Sequence, residues 1–314
     1  MTHSSGPSAV RAHKTLHKFC ERFVADCYGP FAKSLKNEFR RDSQRLEERD
    51  KMVFFRLVWF FAQWSRARKT KKTVTDNSGI GKLIITMDVF TFHLVLNAAE
   101  TYHQQKKPTK LASAVAVYSE MIHLLYRMYH NQDDPTEHDM AIGLIDRLFY
   151  HGQDALDPLP KLLARWTPGT STREYLCDLV EIAHVSLKLL EANTKEGIEF
   201  VRSKPANGNG SAASGLVSQK IAKMKMYAST FDVQQYFAKN IVSNRLVTMY
   251  TYLMDQYKVN AAVVNHRIVT MFRRLMRFEI ATPEVVDDET DDCAAANPNP
   301  LGIQRTTLEP MLYN

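Results

Sequence analysis

Apolar residues recur at spacings of three and four along most of this chain, the period of a helix with one buried face. From Arg11 to Tyr28 they are Leu16, Phe19, Cys20, Phe23, Val24 and Cys27. Gly29-Pro30 is expected to stop that helix, because proline lacks the N–H and clashes with the preceding turn. A second helix is expected from Phe31 to about Glu48, with Phe31, Leu35 and Phe39 inward. A third, from about Asp50 to Arg66, holds the run MVFFRLVWFFAQW and is apolar nearly all round, which predicts burial on several sides. Phe54, Phe55, Trp59 and Phe60 accordingly read as core rather than as a platform for stacked bases.

After a loop from Lys69 to Gly81, rich in turn residues, helices resume near Met87. Val89, Phe92, Leu96, Ala99 and His103 share a face. Pro108 and Pro135 each open a helix, since the first turn has no use for the missing N–H. Ser171 and Glu174 fit a capping box, and Leu176, Val180, Ala183, Leu187 and Leu190 follow as one stripe. Val264, Ile268, Met271 and Leu275 line the last helix. No long stretch alternates with period two, so the expected class is all-α, a bundle or an irregular α-solenoid without a fixed sequence repeat.

The expected organisation is a first helical part at 1–202, a flexible Gly/Ser-rich linker at 203–219 and a helical continuation at 220–280. An acidic disordered segment follows at 281–300, then the start of a further helix at 301–314. The first ten residues lack the apolar core of a signal peptide, and the most apolar run is too short for a bilayer, which takes about 20 residues.

Charge changes the picture more than composition does. The net +7 resolves into blocks: 17 Lys/Arg against 7 Asp/Glu over 11–72, and 10 against 2 over 220–277, but 1 against 8 over 278–314. Such segregation points to a polyanion or a charged protein partner. The strongest run is RARKTKK, with Arg66, Arg68, Lys69, Lys71 and Lys72. The second is Lys220, Lys223 and Lys225 followed by Arg273, Arg274 and Arg277, the three arginines being expected opposite the buried stripe of the last helix. These eleven are the candidate polyanion or DNA contacts. Five neutralised phosphates would give a log–log salt slope of about −4.5.

No phosphate loop, nucleophile elbow or paired-cysteine zinc pattern is present, and Cys20, Cys27, Cys177 and Cys293 suit a reducing compartment. Cys20 and Cys27, seven apart, are expected on one buried helix face. Nothing points to catalysis, a cofactor, a metal or a small-molecule substrate.

Three stretches taken in order carry a resemblance. They are FCERFVADCYGPFAKSLKNEF (19–39) with MVFFRLVWFFAQWSRA (52–67), then YLCDLVEIAHVSLKLLE (175–191), then FDVQQYFAKNIVSNRLVTMYTYLMDQYKVNAAVVNHRIVTMFRRL (231–275). Over about residues 15–280 the chain resembles the interior of the N-terminal conserved region of the Timeless family of replication-fork proteins. The resemblance implies an armadillo/HEAT-like right-handed superhelix. It also implies a nuclear scaffold of the fork protection complex that pairs with Tipin, meets the MCM helicase and duplex DNA, and works with Claspin in the replication checkpoint. Residues 231–280 are then the expected surface nearest Tipin. The family's earlier helices, its basic Arg- and Gly-containing segment and its poly(ADP-ribose) polymerase-binding segment have no counterpart here. The residues alone fit a cytoplasmic α-solenoid adaptor or transport factor with no DNA role equally well.

Overall fold

A computed structural model describes residues 7–41, 47–68, 82–131, 134–151, 158–169, 171–195 and 232–281. These are helical nearly throughout, with no strand among them. The chain divides into two compact units, Met1–Leu156 and Asp157–Asn314, and the expected first part at 1–202 spans that boundary. The expected linker at 203–219, and the expected acidic segment and final helix beyond Ala281, lie outside the described residues.

In the first unit, α1 (Pro7–Arg22) runs through a wide π turn, Phe23–Cys27, directly into α2 (Tyr28–Arg41). The expected stop at Gly29-Pro30 does not occur. A helical proline disturbs the carbonyl four residues back; here that carbonyl belongs to Asp26, inside the wide turn, where the Tyr28 amide bonds to Phe23 instead. The same turn carries Cys27 round to solvent while Cys20 stays buried.

α2 also turns differently from the expected 31/35/39 stripe. Its buried line is Ala32, Lys36 and Phe39, and Phe31 is exposed. The Lys36 ammonium is held at 2.6 Å from both the Ile85 carbonyl and the Asp88 carboxylate. Asp88 in turn caps α4 (Val89–Gln104), accepting from the Thr91 amide at 3.0 Å and the Thr91 hydroxyl at 2.6 Å.

α3 (Glu48–Arg68) and α5 (Pro108–Tyr129) lie side by side. Their polar contacts step forward together: Glu48 meets Lys107 and Lys110, Gln63 meets Glu120, and Ser65 meets Arg127. The two helices are therefore parallel, which requires the return helix α4 between them in sequence. The turn from α4 to α5 is tight enough to place Lys106 at φ 55, the left-handed region usual just after a helix end. Phe92 of α4 meets Tyr118 of α5 edge to face at 6.0 Å, and each large buried ring contributes about 1.5–3 kcal/mol. α6 (Pro135–Ile145) is capped by Asp134 and ends in a second π turn, Asp146–His151.

In the second unit, α7 (Pro158–Arg165) precedes α8 (Arg173–Lys195). The cap of α8 is Thr172, whose hydroxyl accepts from the Tyr175 amide at 3.3 Å, rather than the expected Ser171. After α8 the described chain resumes with α9 (Val233–Tyr236) and its π turn Phe237–Ile241, α10 (Asn244–Met254) and α11 (Ala262–Ala281). The expected stripes on α8 and α11 are buried as read. These two helices are also parallel: Arg173 reaches Asn260, Glu181 meets Arg267, and Glu191 meets Arg274.

Candidate functional site

The candidate basic residues divide by surroundings. Arg66, on the last turn of α3, sits 3.4 Å from Glu120 of α5. The Arg68 side chain and Lys69, Lys71, Lys72, Lys220, Lys223 and Lys225 lie outside the described residues. Arg273 and Arg277 are exposed on α11, and no ion pair among the described residues holds either.

Arg274 departs from the expectation that all three arginines face outward. Its side chain is only 13% exposed and forks onto Glu191 of α8, Nε to Oε1 at 2.8 Å and Nη2 to Oε2 at 3.0 Å. The cause is angular. At about 100° per residue, Arg274 falls about 60° round the helix from buried Met271, whereas Arg273 and Arg277 fall on the far side. A residue on the flank of a buried stripe meets the neighbouring helix, not solvent.

That flank forms a polar seam which the sequence reading missed. Arg267 Nη2 donates to Glu181 Oε1 at 2.7 Å, with both side chains nearly buried. His184, one turn on from Glu181, faces His266 with ring centroids 6.0 Å apart. Burial, and then the charges of Lys188, Arg274, Arg267 and His266, push His184 down to about 3, so its imidazole is neutral at physiological pH. Its Nδ1 has no hydrogen-bond partner. Below the seam, burial raises the Tyr250 phenol well above its ordinary range. The signal available in sequence was Glu181, His184, Lys188 and Glu191 at helical spacing beside the apolar stripe.

In the first unit the half-buried Arg127 is lowered to about 10 by burial and then by neighbouring Arg66. Nothing in either arrangement brings a nucleophile, a base and an oxyanion donor together. Among the described residues no group of three or more His, Cys, Asp or Glu is placed to hold a metal, and no helix is long and apolar enough to cross a membrane.

The described residues are helical, with α3 and α5, and α8 and α11, packed as parallel pairs. No family model matches the chain. It is similar to the human protein timeless homolog, 23% identical over 193 residues, covering 59% of this chain and 15% of that protein. It is similar to topoisomerase 1-associated factor 1 of Phaeosphaeria nodorum, 23% identical over 208 residues, 62% of this chain and 17% of that protein. The protein of that name from Neurospora crassa is 24% identical over 206 residues, 62% and 16% respectively. The chain thus spans about one sixth of the length of the curated relatives it matches. Topoisomerase 1-associated factor 1 is the fungal Timeless relative, and these matches bear out the resemblance to the Timeless family read from the sequence.

Proposed function

We propose that this chain is a non-enzymatic scaffold segment of a replication fork protection complex. In this reading it works in the nucleus, pairs with a Tipin-like protein, and associates with the MCM helicase, duplex DNA and a Claspin-like mediator in support of fork stability and the checkpoint. The observation that carries the reading is the similarity to Timeless and topoisomerase 1-associated factor 1 proteins from animals and fungi. An armadillo/HEAT-like solenoid suits it. Stacked helical repeats set helices of like direction side by side, and each unit contains one parallel pair, α3 with α5 and α8 with α11.

Residues 231–280 are assigned to the Tipin-like partner, with Arg273 and Arg277 left for phosphates or acidic side chains. Co-expression with the Tipin homologue and gel filtration test the pairing: co-elution is expected, and separate elution counts against it. DNA contact is tested by duplex gel shifts over a salt series. If Arg273 and Arg277 each neutralise one phosphate, the double Arg273→Glu/Arg277→Glu variant flattens the log–log slope by about 1.8. An unchanged slope removes these two from the DNA surface.

One observation favours the alternative of an adaptor with no DNA role. Arg66 and Arg274 are turned onto Glu120 and Glu191, which thins the basic surface expected from sequence. An unchanged affinity for duplex DNA after charge reversal, together with cytoplasmic location of the tagged chain, would select it.

A further inference from the structure

The apolar helix α3 does not hide all of its apolar surface. Phe54, Phe55, Val58 and Phe61 are buried, but Val53 is 58% exposed and Phe60 38%. The expectation of burial on several sides therefore fails along one face. Beside that face a groove enclosing about 210 Å³ runs between α3 and α5, walled by Met52, Phe55 and Trp59 and floored by Ser113, Ala116 and Val117. The groove exists because Ser113 and Ala116, one turn apart on α5, are too small to fill the space opposite Met52 and Trp59. The Ser113 hydroxyl is turned away into a bond with the Thr109 carbonyl at 3.0 Å, which leaves the floor effectively apolar.

One charge stands at the rim. Arg56 lines the groove, is exposed, and has no ion pair among the described residues. The carboxylates along this seam are already engaged elsewhere: Glu48 by Lys107 and Lys110, Glu120 by Arg66 and Gln63.

Size selects the occupant's scale. Cofactor and drug pockets run to about 300–1,000 Å³, so this groove takes one large side chain rather than a small molecule. Charge selects its chemistry. A single guanidinium beside an apolar slot suits one carboxylate and one hydrophobic anchor, whereas a nucleic-acid backbone needs a row of cations. Val53 and Phe60, each about one turn from Arg56 on the outer face of α3, extend the contact in the direction of the helix axis.

We propose that this groove docks a helical segment of a partner protein, which inserts one leucine or aromatic side chain between Trp59 and Ala116 and places a carboxylate, one helical turn away, on Arg56. The inference stands apart from the fork reading and concerns a different unit from the surface assigned to the Tipin-like protein.

The test is selection of a phage-displayed library of 16-residue peptides on the full chain, followed by anisotropy titration of the selected peptides. Selected sequences are expected to share an apolar anchor with Asp or Glu three or four positions away. Ala116→Leu, which fills the groove, is expected to weaken binding at least tenfold while melting at the wild-type temperature. Arg56→Glu, an exposed change that leaves the core untouched, is expected to weaken it as much, with recovery when the peptide's acid is changed to Lys. Peptides without an acid, equal binding to Arg56→Glu, or recovery of no peptide at all would overturn the proposal. So would self-association of the wild-type chain that Ala116→Leu abolishes, since the occupant would then be a second copy.

Discussion

The α3–α5 and α8–α11 seams share a geometry and differ in chemistry. Both join parallel helices, yet the first is apolar along its middle with ion pairs only at its ends, and the second carries charge through its centre. The apolar seam leaves a groove where small residues meet large ones. The charged seam closes, because Arg267 and Arg274 reach across to Glu181 and Glu191. Parallel packing by itself therefore specifies neither surface. A pair of alanine-sized residues opens one interface, and two arginines on the flank of a buried stripe seal the other.

The largest expected effect comes from removing one side of a buried ion pair. Arg267→Ala takes away the guanidinium 2.7 Å from Glu181, and loss of one partner from a buried pair costs about 3–5 kcal/mol. Urea unfolding of the full chain, followed by far-UV circular dichroism, measures it. The double change Glu181→Leu/Arg267→Met removes both charges and is expected to be near neutral or stabilising. If the double variant were as unstable as the single one, the seam would owe its stability to the pair itself.

The next effect is in pH. His184 has a folded value of about 3, below its ordinary 6.5. The unfolded chain therefore binds the extra proton, and the contribution of neutral His184 is complete above about pH 6.5 and is lost progressively as pH falls toward 3. One such proton gives at most about 1.4 kcal/mol per pH unit. Lys188, Arg274 and Arg267 all bear on it, so protonation adds a cation beside cations. His184→Gln is expected to flatten the stability profile of the second unit between pH 4 and 6.5, read by urea midpoints. An unaltered profile would show that His184 is solvated in a way its burial does not suggest.

Much of this was legible in the residues, and the failures have a common origin. The stripes on α8 and α11 follow from spacing alone because their buried positions are aliphatic. Lys36 was missed because a lysine reads as solvent-facing, and only the distant Ile85 carbonyl and Asp88 make its burial tolerable. Arg274 departs from the outward expectation for the mirror reason: spacing puts this charged residue on a flank, where Glu191 supplies a partner. Gly29-Pro30 did not stop a helix because the preceding turn had already widened. The groove was invisible since Ser113 and Ala116 look unremarkable in a helical run, and only the register of α3 against them opens a space. Apart from Gly29-Pro30, whose cause lies in the adjoining turn, each miss depends on a residue roughly fifty to eighty positions away, which local pattern cannot reach.

Asp88 gives the first unit its own acid response at lower pH. Burial alone would raise its carboxyl; the hydrogen bonds from Lys36 and Thr91 outweigh that and hold it below the usual range. A depressed carboxylate contributes fully above its unfolded value of about 3.9 and loses that contribution as pH falls through the folded value. Asp88→Asn is expected to lose about 1–2 kcal/mol at pH 7, discounted for partial exposure. The difference from wild type should shrink below pH 4. A difference that persisted at pH 2.5 would assign the loss to geometry rather than charge.

The smallest effect lies at the helix starts. α4 is capped by charged Asp88, which also holds Lys36, while α8 is capped by neutral Thr172 through one hydroxyl. Thr172→Ala removes a single acceptor from the Tyr175 amide and is expected to cost about 1 kcal/mol. Because no titratable group is involved, that loss should be the same at pH 4 and pH 7, unlike the loss at Asp88. Thr172→Asp should restore the cap and add a favourable interaction with the helix dipole of about 0.3–1 kcal/mol. The restored variant would then acquire the acid sensitivity that the wild-type α8 start lacks, and urea midpoints at the two pH values would reveal it. If Thr172→Asp were no more stable than Thr172→Ala at pH 7, the start of α8 would be set by packing of Tyr175 and Leu176 rather than by its cap.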